Sequence, residues 1–178
     1  NTGGEGDLSK GPRGDTPGSV NSSEGTTLPP TKPENPANSD SCSFGDIIIN
    51  EVMANPVGLA GLPETEYVEI YNTLDSTIRL KEWSFIYDGK KTVIPDTLLH
   101  ATQYAVLFRE GRDIYLEQNG IELPLSRFPS NLANTGKILQ IKNSSGMVND
   151  SITYATAKAA RSWDLDGAGN WYFSHDAK

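Results

Sequence analysis

The sequence predicts an all-β protein, built as a sandwich or a barrel and preceded by a disordered N-terminal segment. From Phe44 onward, short runs of β-branched and aromatic residues recur at intervals of about ten to fifteen residues. Glycine-containing turn signals separate several of these runs. Only the stretch 155–161, ATAKAAR, has much helical propensity, and it is too short to define the class. Many short strands without intervening helices indicate an all-β fold.

The first 43 residues differ in composition from the rest of the chain. They contain seven glycines, six prolines and only five apolar residues, the last of which is Cys42. Such a segment cannot bury enough apolar surface to offset the entropy of ordering it. We therefore predict a flexible linker over residues 1–43 and a folded domain over residues 44–178. Cys42 is expected to be a solvated thiol just before the domain.

The first two strands are predicted in FGDIIINEVMANP and EYVEIYN. The first is rich in β-branched residues and stops at Asn55-Pro56. The second alternates, so that Val68 and Ile70 face one side of the sheet while Glu69 faces the other with two tyrosines. Two further strands are predicted in STIRLKEWSFIYDGK, and others in QYAVLF, IELPL, GKILQIK, MVNDSITY and NWYF.

Composition and charge argue against several classes of function. The formal net charge is -8 and the pI about 4.7, which works against nucleic-acid binding because that affinity rests largely on lysine and arginine. A single cysteine excludes an intramolecular disulfide and a cysteine zinc site. No apolar run is long enough to cross a bilayer. The chain begins at Asn1 without an apolar signal segment, so we interpret it as a mature or excised fragment.

Three glutamates are the candidate catalytic carboxylates. The three-residue spacing of Glu66 and Glu69 places them on opposite faces of one strand, so they cannot act together on one bond. Glu51 can lie opposite Glu69 if the first two strands pair, and two carboxylates in a cleft are what glycoside hydrolysis requires. The alternative is a solvated sheet face. We favour that alternative and predict that no cleft joins Glu51 and Glu69.

Other catalytic machinery has little support in the sequence. The chain contains only two histidines, His100 and His175, so there are few candidates for the base of a Ser-His-Asp arrangement. The G-x-S-x-G elbow, the phosphate-binding glycine loop and the H-E-x-x-H helix are all missing from the sequence. We therefore expect no catalytic residues in this domain.

The segment DLDGAGN is the candidate metal site. Asp164, Asp166 and Asn170 offer oxygens at alternating spacing, and Gly167 permits a tight turn, as in short calcium loops. The segment lacks the distant bidentate acid that completes an EF-hand loop. A glycine-rich hairpin whose aspartates accept hydrogen bonds from backbone amides explains the same residues. Calcium therefore stays open, and no other cofactor is indicated.

The three tryptophans and Tyr172 are candidates for a sugar-binding platform. Trp83 lies among apolar residues in LKEWSF and is expected in the core. Trp171 shares a face with Phe173 by alternation and is expected to be buried too. Only Trp163 is a candidate for exposure, and it is therefore the candidate for glycan binding.

The chain contains, in order, the segments IIINEVMANP, EYVEIYN, IRLKEWSF, QYAVLF, LANTGKILQIKNSSGMVNDSITY and DGAGNWYFS. Taken together, these segments resemble the lamin tail domain, an immunoglobulin-like β-sandwich of nuclear lamins and many bacterial exported proteins. The resemblance spans residues 44–174 and departs from the family at Glu82, where a small residue or glycine is usual. It implies that the signature residues are architectural rather than catalytic: Asn50, Glu51, Glu69, Asn72, Trp83, Gly136 and Trp171.

The function implied by this resemblance is a non-catalytic interaction or spacer module. Bacterial members resemble accessory domains beside nucleases, phosphatases or other β-sandwich domains in surface and secreted proteins. We therefore expect a larger bacterial protein, secreted or at the cell surface, with an unknown protein or glycan partner. Chromatin association is not implied, because the sequence has no coiled-coil rod and is acidic. The alternative is a carbohydrate-binding module, with or without calcium, that uses Trp163 and the 164–170 loop.

Overall fold

The computed structural model describes residues 42–58, 63–116 and 120–174. Those residues contain twelve β-strands and no helix, which confirms the predicted all-β class. The stretch 155–161 is irregular and closes a turn through a bridge between Lys158 and Arg161. Nearly all of the predicted linker lies outside the described residues, so the linker stays a prediction.

The strands form two large sheets and one short ribbon. In chain order they are β1 Ile47–Met53, β2 Tyr67–Asn72, β3 Ile78–Arg79, β4 Ser84–Tyr87, β5 Lys90–Val93, β6 Leu98–Leu99, β7 Tyr104–Arg109, β8 Gly120–Leu125, β9 Ile138–Lys142, β10 Val148–Thr153, β11 Trp163–Leu165 and β12 Trp171–Phe173. Ten of these strands have three to seven residues, within the usual range, whereas β3 and β6 have two residues each.

The larger sheet has six strands in the order β12-β11-β1-β2-β7-β8. Neighbouring strands are antiparallel except β7 and β8, which are parallel. A parallel pair cannot be joined by a tight hairpin, so the chain crosses from the end of β7 back to the start of β8. The smaller sheet has the antiparallel order β10-β9-β4-β5, and β3 pairs with β6.

The two sheets enclose one apolar core. In β2, Val68 and Ile70 are fully buried whereas Tyr67, Glu69 and Tyr71 are half-buried on the other face, as the alternation predicts. Side chains of both sheets belong to one cluster, and this packing confirms the immunoglobulin-like sandwich. The larger sheet contributes Ile47, Ile49, Val52, Val68, Ile70, Ala105, Leu107, Leu123 and Leu125, and the smaller sheet Phe85, Leu139 and Ile141.

Trp83 lies in this core with no exposed surface, as predicted. The preceding residue, Glu82, has a φ of 64°, in the left-handed region that favours glycine. This backbone conformation is a physical reason to expect a glycine before the tryptophan.

The prediction that Cys42 is a solvated thiol is wrong. Its side chain is 4% exposed and belongs to the core cluster. The next residues are tied to β10, since Gly45 N donates to Asn149 O at 2.7 Å and Asn149 Nδ2 donates to Ser43 O. Burial, followed by the charge of Asp46, raises the pKa of the thiol. The core therefore includes a residue that precedes the predicted domain boundary.

Candidate functional site

Glu66 and Glu69 open into two different clefts, in agreement with their predicted opposite faces. Glu66 lines a cleft of about 290 Å³, where its Oε2 accepts a hydrogen bond from Leu132 N at 2.7 Å. Burial raises the pKa of Glu66, and the Leu132 amide, Arg109 and Arg112 partly counteract this effect. Glu69 lines a second, larger cleft. The two carboxylates therefore cannot act on one bond.

Three acidic side chains lie in one row across the outer face of the larger sheet. Asp164 of β11 pairs with Glu51 of β1, and Glu51 pairs with Glu69 of β2. A β-bulge between Ile49 and Glu51 produces this row. With strict alternation Glu51 would face the core beside Ile49, but the extra residue turns Glu51 outward and Val52 inward.

The three acids line a cleft of about 640 Å³. The crossover after β7 supplies part of its wall through Ile114, Tyr115 and Leu116. The prediction that no cleft joins Glu51 and Glu69 is therefore wrong, because the parallel pairing of β7 and β8 requires a crossover and that crossover borders the outer face. We call this site the acidic cleft; besides its three acids it contains Tyr67, Tyr104, Tyr115 and Tyr172.

The Tyr67 hydroxyl experiences the combined charge of the acidic cleft. Its Oη donates a hydrogen bond to Glu51 Oε1 at 2.6 Å. Burial raises the pKa of Tyr67, and the hydrogen bond to Glu51 and the charges of Glu51, Glu69 and Asp164 raise it further. The hydroxyl therefore stays protonated and remains a hydrogen-bond donor.

The other two carboxylates also accept hydrogen bonds from neutral side chains. Asn50 Nδ2 donates to Glu69 Oε1 at 2.7 Å, and Ser162 Oγ donates to Asp164 Oδ1 at 2.5 Å. Within the described part of the chain, no lysine, arginine or histidine lines the cleft. The arrangement can hold a polar or cationic group, whereas an anion would meet three carboxylates.

Two further signature residues lie outside the cleft and contact backbone atoms of neighbouring segments. Asn72 is fully buried, and its Nδ2 donates to three backbone carbonyl oxygens at 2.8, 2.9 and 3.1 Å. Gly136 has a φ of 86°, and a Cβ there would overlap the carbonyl oxygen of Tyr154. In contrast, Asn50, Glu51 and Glu69 belong to strands of the larger sheet and also line the cleft.

A family model described as Lamin Tail Domain matches residues 41–156. The chain belongs to the lamin tail domain family. No curated protein matches the sequence. The match includes Glu51 and Glu69 but ends before Asp164 and Tyr172, so one side of the acidic cleft in this lamin tail domain comes from strands beyond the matched residues. Across the described ranges, no helix has the length and apolar character needed to cross a membrane.

The segment predicted as a calcium loop forms the turn between β11 and β12 of the lamin tail domain. The Asp166 carboxylate accepts hydrogen bonds from the Asn170 and Ala168 amides and from Asn170 Nδ2, and these bonds lower its pKa. Asp164 instead contacts Ser162 and lies in the acidic cleft. In the residues that the structure describes, no three acidic, histidine or cysteine side chains are grouped to hold a metal ion. The hairpin interpretation accounts for these contacts, and calcium binding stays a prediction.

Trp163 does not line the acidic cleft of this lamin tail domain. It is half-buried against the core, and its ring centroid lies 4.1 Å from that of Phe173. Trp171 is half-buried against the same core. The Lys158 ammonium lies 4.5 Å from the ring centroid of Phe173, so Phe173 has both Trp163 and Lys158 as neighbours. Glycan binding by Trp163 stays a prediction.

The acidic cleft brings together residues that the sequence pattern separates. The pattern places Asp164 in a metal loop, Glu51 and Glu69 on a sheet face and Tyr172 in a sugar-binding platform, and it does not select Tyr104 or Tyr115 as site residues. The outward tyrosines in EYVEIYN are the one local signal for an aromatic surface. The other members reach the cleft through contacts between distant parts of the chain.

Proposed function

We propose that this lamin tail domain is a non-catalytic interaction module that binds its partner in the acidic cleft. The observation that supports this function is the cleft itself, whose volume of about 640 Å³ lies in the usual range for binding sites. Tyr115 and Tyr172, two of its aromatic side chains, are 63% and 40% exposed. Exposed tyrosines beside a concave surface are typical of recognition sites, since the ring supplies contact area and the hydroxyl supplies a hydrogen bond.

A binding role accounts for the carboxylates better than a catalytic role. Glycoside hydrolysis needs one carboxylic acid that delivers a proton and a second carboxylate that attacks or activates water. Glu51 and Glu69 instead accept hydrogen bonds from Tyr67 and Asn50, so one oxygen of each carboxylate is engaged within the domain. Among the described residues, no histidine lines the cleft, so no imidazole is placed there to transfer a proton.

The non-catalytic part of the proposal is tested with Glu51→Gln and Glu69→Gln. We expect the parent protein and both variants to leave a panel of chromogenic glycosides and esters at the buffer rate of hydrolysis. Turnover by the parent that either substitution abolishes would make the domain an enzyme and would contradict the proposal.

The binding part is tested by NMR titration with a panel of short peptides and oligosaccharides. We expect amide shift changes to cluster around Glu69 and Tyr172 and to disappear in the Tyr115→Ala/Tyr172→Ala double variant. The matched control is Phe44→Ala/Val93→Ala, which removes two exposed apolar side chains that do not line the cleft. Shift changes that cluster elsewhere, or that survive the tyrosine substitutions, would contradict the proposed surface.

A carbohydrate-binding module is the second candidate. The exposed rings of Tyr115 and Tyr172 favour it, because a sugar ring stacks on an aromatic face while carboxylates accept hydrogen bonds from its hydroxyls. A neutral sugar would bind with little dependence on salt, since screening acts only on charges. Shifts produced by oligosaccharides alone, at any ionic strength, would favour this second function.

We further propose that the domain belongs to a larger bacterial protein that is exported or displayed at the cell surface. The resemblance to bacterial exported members supports this context, and residues 1–43 would then be its linker. The full-length reading frame tests the context through its signal peptide and neighbouring domains. Recovery of the full-length protein in the cytoplasmic fraction alone would contradict it.

A further inference from the structure

We expect the row of carboxylates in the acidic cleft to weaken the sheet that carries it. Asp164, Glu51 and Glu69 occupy directly opposite positions on three adjacent strands, where like charges destabilise the pairing. Asp164 is only 5% exposed and the two glutamates are half-buried, so less water screens their repulsion. Sites that sacrifice stability in this way are typically sites of function.

The tyrosines of the acidic cleft favour the same ligand charge independently of the carboxylates. The face of an aromatic ring carries a negative potential that attracts lysine and arginine head groups. Tyr115 and Tyr172 are exposed enough to offer such faces to a ligand. The Tyr67 hydroxyl is already engaged by Glu51, and its pKa is raised first by burial and then by the neighbouring carboxylates.

We propose that the acidic cleft binds a lysine or arginine side chain presented by a segment of a partner protein. This inference rests on the proposed function and specifies the chemistry of the partner. Ammonium and guanidinium groups have several donors and no acceptor, which suits a cleft that contains three carboxylates. The aliphatic part of such a side chain can cover the apolar lining residues Val106 and Leu165.

Charge complementarity distinguishes this ligand from the alternatives. The whole chain carries a net charge of -8, which attracts a basic partner at long range as well as in the cleft. An anionic ligand would be repelled by the same field. A neutral oligosaccharide has no net charge, so the charge of the carboxylates would not increase its affinity.

Isosteric substitutions separate charge from shape in this site. The oxygen of a side-chain amide can still accept the hydrogen bonds that now reach Glu51, Glu69 and Asp164. The cleft variant is therefore Glu51→Gln/Glu69→Gln/Asp164→Asn. A matched control variant changes the net charge equally at three exposed acids outside the cleft: Asp75→Asn, Glu82→Gln and Glu110→Gln.

The experiment titrates the full chain and both variants with end-blocked trilysine, and with acetylated trilysine as the uncharged probe. We expect trilysine to shift cleft amides in the parent and its affinity to fall as salt is raised. The cleft variant should bind at least about tenfold more weakly, whereas the control variant should stay within about twofold of the parent. The cleft variant should also unfold at a higher urea concentration than the parent, because the repulsion along the row is relieved.

Equal affinity of the parent and the cleft variant for trilysine, or no cleft shifts with millimolar trilysine, would overturn the inference. A cleft that responds to oligosaccharides or to acetylated trilysine but not to trilysine would overturn the cationic ligand and leave the cleft as a binding surface. Ligands that shift only residues outside the cleft would overturn the proposed function too.

Discussion

Replacing Gly136 with alanine is expected to lower the free energy of unfolding by about 1.5–4 kcal/mol. Gly136 has a φ of 86° in the turn before β9, and its amide donates to Ala133 O at 3.0 Å. An added Cβ would overlap the Tyr154 carbonyl oxygen and lie 3.0 Å from that of Ala155. Both obstacles are backbone atoms, so the chain after β10 would have to move.

Two effects combine in this magnitude. The left-handed conformation costs alanine roughly 1–2 kcal/mol, and about half of that is offset because alanine restricts the unfolded chain more than glycine does. The steric overlap adds about 1–3 kcal/mol, the usual cost of overpacking a site that cannot relax. The displaced segment includes Tyr154, whose Oη donates to Ala133 O at 2.8 Å, so a polar contact is also at risk.

Gly146→Ala is the matched control, because Gly146 has a φ of 82° and no atom within 4 Å of an added Cβ. It should lose only the conformational part, about 0.5–1 kcal/mol. Urea unfolding followed by tryptophan fluorescence measures both losses, with the m-value checked for constancy. Equal losses in the two variants would refute the close approach at Gly136.

Four further predictions concern the core, the smaller cleft, a strained residue and the metal loop. Trp83→Ala should cost about 3–5 kcal/mol in urea unfolding because the ring is fully buried, and a loss below about 0.5 kcal/mol would contradict its place in the core. Burial raises the folded-state pKa of Glu66, so its contribution to stability is complete below the ordinary carboxyl pKa and is lost as pH rises through the raised value. The stability of the parent minus that of Glu66→Gln should therefore decline with rising pH, and a difference that is independent of pH would be evidence against a raised pKa. Glu82→Gly should leave the free energy of unfolding unchanged or raise it by up to about 1 kcal/mol, since its φ of 64° favours glycine; a clear loss would contradict this. Calcium should leave the melting temperature of the parent unchanged, and a rise that Asp166→Ala removes would favour the calcium loop instead.

Local patterns in the sequence account for the fold class and for the faces of the strands. In EYVEIYN the alternation predicts that Val68 and Ile70 are buried, and both are. Glu66 and Glu69 line different clefts, as predicted, although Glu66 immediately precedes β2. These predictions hold because the direction of a side chain on a regular strand depends only on the backbone of its own segment. Trp83 belongs with them, since the apolar residues around it already indicate a core position.

The burial of Cys42 and the acidic cleft depend on the tertiary structure. A bulge of one residue turns Glu51 from the core face to the outer face, and the neighbouring sequence does not predict that bulge. The pairing of Glu51 with Asp164 joins positions more than a hundred residues apart. The parallel pairing of β7 with β8 then brings Tyr115 to the edge of the same surface. A strand face follows from adjacent residues, whereas a concave site requires the register and order of distant strands, which the packing of the whole core decides.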